Sequence, residues 1–164
     1  MILAGLGSNM TTPQLPTSER LLEESLKSME ERGITVSGRS SWFRSAPVPA
    51  SDQPWFVNGV AKLVTDLSPW RLLALLHDVE AEYGRVRSVP NASRTLDLDL
   101  LAYDDLIVGG TDGLMLPHPR LAERAFVLQP LAQLAPEWRH PVSGLTAGEM
   151  LAGLPPGQRV ERLD

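Results

Sequence analysis

Residues 94–101 alternate apolar and acidic side chains, and this pattern constrains the fold more than any other part of the sequence. The run Arg94-Thr95-Leu96-Asp97-Leu98-Asp99-Leu100-Leu101 has a period of two, which is typical of a half-buried β-strand. We expect the leucines at 96, 98 and 100 to face a core. Asp97 and Asp99 then share the opposite face, roughly 7 Å apart along the strand.

Two neighbouring carboxylates on one strand face predict a bound cation. Aspartate is depleted in strands, and like charges placed side by side repel each other. Mg²⁺ binds carboxylate oxygens and commonly takes only one or two of them from the protein, while phosphate supplies further ligands. The alternative is a solvated face of an antiparallel sheet. The pair formed by Asp97 and Asp99 favours the metal site.

Length, charge and cysteine content limit the class of protein. The chain has 164 residues, a formal net charge of −5 and no cysteine. It is therefore long enough for one domain with its own core, lacks a basic footprint for nucleic acid, and has no thiolate for a metal site or a disulfide. We expect a single domain over residues 1–164, a cytoplasmic monomer, and no membrane or nucleic-acid partner.

Apolar periodicity and capping residues predict interleaved strands and helices. The predicted strands are Ile2–Leu6, Ile34–Arg44, Trp55–Leu67 and the aspartate strand. The predicted helices are Ser18–Arg32, a helix from Pro69 to Gly84, short pieces over Pro117–Ala135 interrupted by Pro119 and Pro130, and one capped by Thr146 and Glu149. The pairings look antiparallel, so the fold class is α+β.

Basic side chains crowd the segment before the aspartate strand. Arg85, Arg87 and Arg94 occur there, and no acidic residue lies between Gly84 and Thr95. Guanidinium groups match phosphate oxygens, so the segment favours a polyphosphate ligand over the alternative of a solvated loop that pairs with helix acids. His118 stands between two prolines and is either a posed site residue or a structural one.

A second region suits a flat heterocycle. Ser45-Ala46-Pro47-Val48 and Trp55-Phe56-Val57-Asn58 combine a proline-bounded loop, aromatic rings and a side-chain amide. Taken alone, aromatic residues in a strand are more often core. The Rossmann and P-loop glycine patterns are both missing from the sequence.

Six segments, in order, resemble the 6-hydroxymethyl-7,8-dihydropterin pyrophosphokinase family of the folate pathway. They are Gly5-Leu6-Gly7-Ser8-Asn9, Ser41-x-x-x-Ser45-x-Pro47, Asp52-Gln53-Pro54-x-Phe56-x-Asn58, Glu80-x-x-x-Gly84-Arg85-x-Arg87, Arg94-Thr95-Leu96-Asp97-Leu98-Asp99 and Pro117-His118-Pro119-Arg120. The resemblance covers roughly Ile2 to Pro136. It implies a ferredoxin-like core, with a mostly antiparallel sheet and helices packed on it.

The resemblance also implies an activity and a set of site residues. The activity is transfer of the diphosphate of ATP to the hydroxymethyl group of 6-hydroxymethyl-7,8-dihydropterin, with release of AMP. Two Mg²⁺ ions would bridge Asp97, Asp99 and the phosphates, and Asp97, Asp99, Arg85 and Arg94 would be the catalytic residues. The implied ATP contacts are His77, Glu80, Arg85, Arg87, Arg94, Leu100, His118 and Arg124. The implied pterin contacts are Ser45, Ala46, Val48, Phe56, Asn58 and Phe126.

Two other classes of protein remain as alternatives. A two-metal nuclease could also use Asp97 and Asp99, but it should carry a basic stripe for the nucleic-acid backbone, which this acidic chain lacks. A ferredoxin-like binding module without catalysis would not need the arginine-rich segment. Formation of AMP from ATP in the presence of a reduced pterin distinguishes these classes.

Overall fold

The structure, a computed structural model, describes residues 1–11, 13–47, 49–84 and 95–163. Its strands are β1 (Ile2–Ser8), β2 (Thr35–Arg39), β3 (Phe43–Ser45), β4 (Phe56–Val64), β5 (Asp97–Tyr103), β6 (Val108–Gly109), β7 (Met115–Leu116) and β8 (Val160–Arg162). Its α-helices are α1 (Ser18–Glu31), α2 (Pro69–Glu82), α3 (Ala125–Leu134) and α4 (Ala147–Ala152), with short 3-10 turns at Thr111–Gly113 and Leu121–Glu123.

Six of these strands form one antiparallel sheet. The order is β5-β1-β4-β3-β8, and β2 also pairs with β4. Each of the two βαβ crossovers, through α1 and through α2, skips one strand, and this is the split βαβ arrangement of the ferredoxin-like fold. The predicted α+β class and ferredoxin-like core are therefore confirmed.

The helices α1 and α2 begin and end where the sequence predicts. Thr17 accepts a hydrogen bond from the Arg20 backbone N–H at 3.2 Å, and Ser68 accepts one from Arg71 at 3.3 Å. These side chains satisfy donors that the first helical turn leaves without intrahelical partners. Gly33 and Gly84 follow the two helix ends with φ values of +91° and +81°, the left-handed conformation that glycine adopts without steric penalty.

The sheet has a core on each face. The helices α1 and α2 cover one face, where Leu96, Leu98 and Leu100 are at most 3% exposed. The helices α3 and α4 pack on the other face, against Leu3, Val60 and Leu101 among others. The period-two pattern thus points the three leucines into the first core, as predicted, and the aspartates between them face the α3 side.

Two element predictions are wrong. Ile34–Arg44 is not one strand, because the chain breaks between β2 and β3, where Trp42 lays its ring against Gly59. A Cβ on Gly59 would lie 2.5 Å from that ring. Pro130 does not interrupt a helix, since α3 continues through it. Burial of the neighbouring Leu128 and Leu131 outweighs the cost of an interior proline, about 3 kcal/mol.

The C-terminal region completes the sheet. The predicted capping box of α4 is confirmed, with Thr146 and Glu149 each bonding the backbone of the other. After α4 the chain returns to the sheet edge as β8, a strand that the sequence analysis did not predict. Among the described residues, no helix is long and apolar enough to span a membrane.

Candidate active site

Two glycines of β1 form the floor of a cleft on the α3 side of the sheet. Gly7 pairs with Asp97 on one side and with Asn58 on the other, while Gly5 pairs with Asp99. Directly paired residues point to the same face, so Asp97 and Asn58 lie about 10 Å apart across a position that has no side chain. A Cβ on Gly7 would lie 3.0 Å from Oδ1 of Asn58. The missing side chains therefore leave room for a ligand between the amide and the carboxylates.

The cleft brings together most of the predicted residues that the structure describes. Its empty space is about 710 Å³ when the part open to solvent is included. Its lining residues are Gly5, Leu6, Gly7, Ser45, Ala46, Phe56, Asn58, Gly59, Asp97, Asp99, Arg120, Arg124, Phe126 and Val127.

One end of the cleft combines an amide, a hydroxyl and aromatic rings. Asn58 and Ser45 are 5% and 2% exposed, and Nδ2 of Asn58 donates to Oγ of Ser45 at 2.6 Å. Ser45 pairs with Phe56 across β3 and β4, and Phe56 lies two residues before Asn58 on the same face. Phe126, from the first turn of α3, adds a second ring. A buried, oriented amide between rings can read the donors and acceptors of a planar heterocycle.

The other end of the cleft is charged. Asp99 lies between two side chains from the segment before α3: its Oδ1 is 3.8 Å from Nε2 of His118, and its Oδ2 is 3.9 Å from an Arg124 nitrogen. The Arg124 guanidinium also lies 5.4 Å from the centre of the Phe126 ring. Arg124 therefore stands where the charged end of the cleft meets the aromatic end.

His118 is a neutral donor at this site. Burial, followed by the nearby Arg124 charge, lowers the pKa of its imidazole from 6.5 to about 4. Its Nδ1 accepts a hydrogen bond from the Arg120 backbone N–H at 3.2 Å, so the ring proton belongs on Nε2, which faces Asp99. Its own backbone N–H donates to the Leu101 carbonyl of β5 at 2.9 Å. These two hydrogen bonds fix the orientation of the His118 ring and the position of its backbone.

Four of the implied ATP contacts that the structure describes do not line the cleft. One of them, His118, lies beside Asp99; the other three, Glu80, Leu100 and His77, lie elsewhere. Glu80 is 1% exposed and accepts a hydrogen bond from the Leu98 backbone N–H at 2.8 Å, so its carboxylate fastens β5 to α2 between the two aspartates. The Leu100 side chain lies in the core against α1 and α2, on the opposite face. His77 is exposed on α2. Side-chain contacts of these three with a ligand in the cleft remain predictions.

Four other predicted residues lie outside the described part of the chain. They are Val48, Arg85, Arg87 and Arg94.

The sequence analysis did not assign a role in the cleft to Asn9 or to Arg120. Asn9 is 6% exposed and donates to Gln53 and to the Pro54 carbonyl, both at 3.1 Å, so it fixes the chain that leads into Phe56. Asn9 is the last residue of the Gly-Leu-Gly-Ser-Asn motif quoted above. The glycines of that motif could not be placed opposite Asp97 and Asp99 without knowledge of the sheet register. Arg120, which also lines the cleft, belonged to the quoted Pro-His-Pro-Arg motif.

The donor set of the cleft fits a hard divalent cation. Asp97 and Asp99 present carboxylate oxygens on one face, and the glycine floor leaves the space beside them open. No group of three or more metal-ligating side chains occurs in the part of the chain that the structure describes. A Mg²⁺ ion held by two carboxylates takes its remaining ligands from water or from a substrate phosphate.

Comparisons with known proteins identify the family of this chain. The model of the family described as 7,8-dihydro-6-hydroxymethylpterin-pyrophosphokinase (HPPK) matches residues 3–136. The chain is 40% identical over 162 residues to a Pseudomonas aeruginosa protein named 2-amino-4-hydroxy-6-hydroxymethyldihydropteridine pyrophosphokinase. The aligned region covers 99% of this chain and 96% of that protein. A Methylorubrum extorquens protein of the same name is 42% identical over 131 residues, 79% of this chain and 81% of that one.

Some relatives are longer proteins. The chain is 37% identical over 145 residues, 88% of its length, to the Pneumocystis carinii folic acid synthesis protein fol1, but it spans only 19% of that protein. A solved Plasmodium falciparum HPPK-DHPS structure superposes on 92% of this chain and 43% of that one with a TM-score of 0.67 at 12% identity, which shows the shared fold. From the family match and the two bacterial relatives it follows that the chain belongs to the 7,8-dihydro-6-hydroxymethylpterin-pyrophosphokinase family.

Proposed function

We propose that this protein transfers the diphosphate group of ATP to the hydroxymethyl group of 6-hydroxymethyl-7,8-dihydropterin and releases AMP, as a step of folate synthesis. One observation supports this most strongly. An end of the cleft with the Asn58 amide and the Phe56 ring adjoins a charged end with Asp97 and Asp99, across the glycine floor of β1. The pterin and the phosphates of ATP would meet where these two ends of the cleft adjoin.

We assign the aromatic end to the pterin. The Asn58 amide, held by Ser45 at 2.6 Å, would pair with the donor and acceptor edge of the ring. Phe56 and Phe126 would contact its faces, and Ala46 would close the rim. A buried amide left unpaired is costly, so this end would reject heterocycles with a different edge.

We assign the charged end to the phosphates of ATP. Arg124 would neutralise phosphate charge, and His118 would donate a hydrogen bond from Nε2 because its ring stays neutral above about pH 4. Asp97 and Asp99 would hold two Mg²⁺ ions, which supply charge neutralisation at the phosphates and lower the pKa of the attacking hydroxyl. Arg85, Arg87 and Arg94 would contribute further positive charge from the segment before β5.

The reaction needs positioning and electrostatics more than covalent catalysis. The hydroxymethyl oxygen attacks the β-phosphorus, the bond from that phosphorus to the bridging α–β oxygen breaks, and AMP leaves with the electron pair. The hydroxyl proton passes to solvent. The chain's contribution is to hold the pterin oxygen in line and to neutralise the charge of the leaving group.

The test is product analysis with purified protein, ATP, Mg²⁺ and the reduced pterin. We expect AMP and a pterin product whose ³¹P spectrum shows two coupled phosphorus atoms, and neither should form when the pterin or Mg²⁺ is omitted. Release of ADP, or AMP formation without pterin, would contradict the proposal. Degradation of added DNA or RNA would support the nuclease alternative, and ligand binding without turnover would support the binding module.

We further propose that the protein acts as a cytoplasmic monomer. A chain without cysteine suits a reducing compartment such as the cytoplasm. Analytical ultracentrifugation during turnover tests the monomer. Activity that disappears on dilution in step with dissociation of a dimer would contradict it.

A further inference from the structure

The start of α3 is held by a residue far away in the sequence. Arg124 occupies the position before this helix and makes no capping bond with its side chain, although the first helical N–H groups need acceptors. Oε1 of Gln158 accepts from the Ala125 N–H at 2.8 Å, and Nε2 of Gln158 donates to the Glu123 carbonyl at 2.8 Å. One carboxamide thus fastens the backbone on both sides of Arg124.

Only a carboxamide side chain can make this pair of bonds. An amide N–H can only donate and a carbonyl can only accept, so the two backbone partners fix the orientation of the Gln158 amide. A methionine has similar length but makes neither bond, and a glutamate has no donor for the Glu123 carbonyl when it is ionised. The arrangement is therefore specific to glutamine at this position.

The backbone that Gln158 fixes carries a cleft residue. The Arg124 side chain is 20% exposed, and its guanidinium lies 3.9 Å from Asp99 and 5.4 Å from the centre of the Phe126 ring. A shift of this backbone would move Arg124, the residue that lies between the two bonds. Gln158 itself does not line the cleft.

The residues after Gln158 hold the opposite wall. The Ala46 N–H donates to the Arg159 carbonyl at 3.3 Å, and Val160 pairs with Ser45 in the sheet. Residues 158–160, which we call the C-terminal brace, therefore connect the Ser45 side of the cleft with the Arg124 side. The brace lies beyond residues 3–136 that match the family model.

We propose that Gln158 is a positioning residue, which sets the Arg124 guanidinium for transfer by fastening Glu123 and Ala125. The effect on turnover rests on the function proposed above, whereas the effect on the order of Arg124 does not. Because the role is exerted through Arg124, turnover should change more than substrate binding. Misplacement of a charged group by about 1 Å can cost as much as 10²-fold in rate.

The chain offers a matched control near the end of α3, the helix whose start Gln158 holds. Gln133 also makes two bonds with one carboxamide, accepting from the Ser41 N–H at 2.7 Å and donating to Oγ of Ser41 at 3.0 Å, but it does not line the cleft. Gln158→Met and Gln133→Met should lower the unfolding temperature to a similar extent. We expect kcat to fall roughly tenfold in Gln158→Met, with KM nearly unchanged, and to stay within about twofold in Gln133→Met.

A double-mutant cycle decides whether Gln158 acts through Arg124. In an Arg124→Ala background, adding Gln158→Met should lower kcat less than twofold, because the residue to be positioned is gone. If Gln158→Met lowers kcat by the same factor in both backgrounds, or if the two glutamine variants lose the same activity, the proposal is overturned.

A spectroscopic readout separates this proposal from the proposed function. The ¹⁵N heteronuclear NOE of the Arg124 Nε–H should fall in Gln158→Met and keep its wild-type value in Gln133→Met. Loss of order in Gln158→Met would support the positioning role even if the wild type formed no AMP. An unchanged NOE in Gln158→Met would overturn it even if the wild type were fully active.

Discussion

Asn58 is the residue at which three features of the cleft meet. Its Nδ2 donates to Ser45, its backbone pairs with Gly7, and it shares a strand face with Phe56. The bond to Ser45 sets the plane of the amide before any ligand arrives. Preorganisation of this kind lowers the ordering cost of binding, and the fixed amide discriminates between heterocycles because a wrong edge would leave it unpaired.

Substitution of Asn58 should therefore affect one substrate only. Asn58→Ala removes the partner of the pterin edge, and we expect pterin binding to weaken by about 1–3 kcal/mol, the cost of an unpaired buried group. Binding of ATP with Mg²⁺ should change little. Calorimetric titration of each ligand separately provides the measurement. An equal loss of ATP affinity would mean that Asn58 acts structurally.

His118 gives the folded protein a characteristic pH dependence. Its pKa is lowered from 6.5 to about 4 by burial and by Arg124. Between these two values the unfolded chain binds a proton that the folded protein does not. The free energy of unfolding that depends on His118 is thus fully present above about pH 6.5 and is lost as the pH falls towards about 4.

The His118→Gln variant isolates this effect. Urea unfolding of both proteins at a series of pH values, with EDTA to remove metal ions, gives the difference in their free energies of unfolding. We expect wild type to lose stability relative to His118→Gln as the pH is lowered through this window. A relative gain would show that the imidazole is charged in the fold and paired with Asp99.

At the scale of elements, β1 shapes the cleft by what it lacks. Its glycines lie between Asn58 on β4 and the aspartates on β5. Gly7→Ala would place a methyl 3.0 Å from Oδ1 of Asn58. We expect this substitution to weaken pterin binding and turnover by roughly tenfold, since the amide must shift by a few tenths of an ångström to make room.

A glycine of another strand is the control for Gly7. Gly109 lies in β6, where an added Cβ meets nothing within 4 Å, so Gly109→Ala should leave both substrate affinities unchanged. Steady-state kinetics of the two variants provides the comparison. Wild-type kinetics in Gly7→Ala would mean that the ligand does not approach the floor of the cleft.

Elements with strong local signals could be predicted from the sequence. The period-two pattern predicted β5 and the direction of its side chains, and Ser68-Pro69 with Gly84 predicted the ends of α2. In each case the residues that decide the structure lie within one element, so short-range propensity and capping are enough. The same holds for the Thr146–Glu149 capping box.

Features that depend on long-range contacts could not be predicted in this way. The break between β2 and β3 arises because Trp42 packs on Gly59, which belongs to another strand. Pro130 stays helical because α3 is buried against the sheet. The positions of Asn9 and Gln158 depend on partners 44 and 33 residues away, respectively. Sequence motifs named the site residues, whereas their arrangement required the register of the sheet.

At the scale of the whole molecule, the central sheet joins two cores. Trp42 lies in the core beneath α1 and α2, and Trp138 lies in the core beneath α3 and α4; they are 7% and 6% exposed. Strands β1, β4 and β5 contribute side chains to both cores. We propose that the two cores form one domain. Because the same strands carry both cores, neither core can unfold without exposing the side chains of the other.

One domain predicts one unfolding transition. Differential scanning calorimetry should give a calorimetric enthalpy equal to the van't Hoff enthalpy, and tryptophan fluorescence should follow the same curve as the far-ultraviolet circular dichroism. Separate transitions would contradict the single domain; variants that keep only Trp42 or only Trp138 of the four tryptophans would report on one core each.

The account as a whole depends on the carboxylate pair of β5. Asp97→Asn keeps the shape of the side chain and removes one charge, so the fold should survive and the like-charge repulsion should ease. Asp105→Asn, at an exposed position just beyond the same strand, is the matched control.

The most direct measurement is the rate of AMP formation by these two variants at saturating ATP, pterin and Mg²⁺. We expect Asp97→Asn to lose at least about 10²–10³-fold in kcat, the scale of a lost transition-state stabiliser, and Asp105→Asn to match the wild type. Near-normal turnover by Asp97→Asn at ordinary Mg²⁺ would contradict the assignment of this cleft as the site of diphosphate transfer.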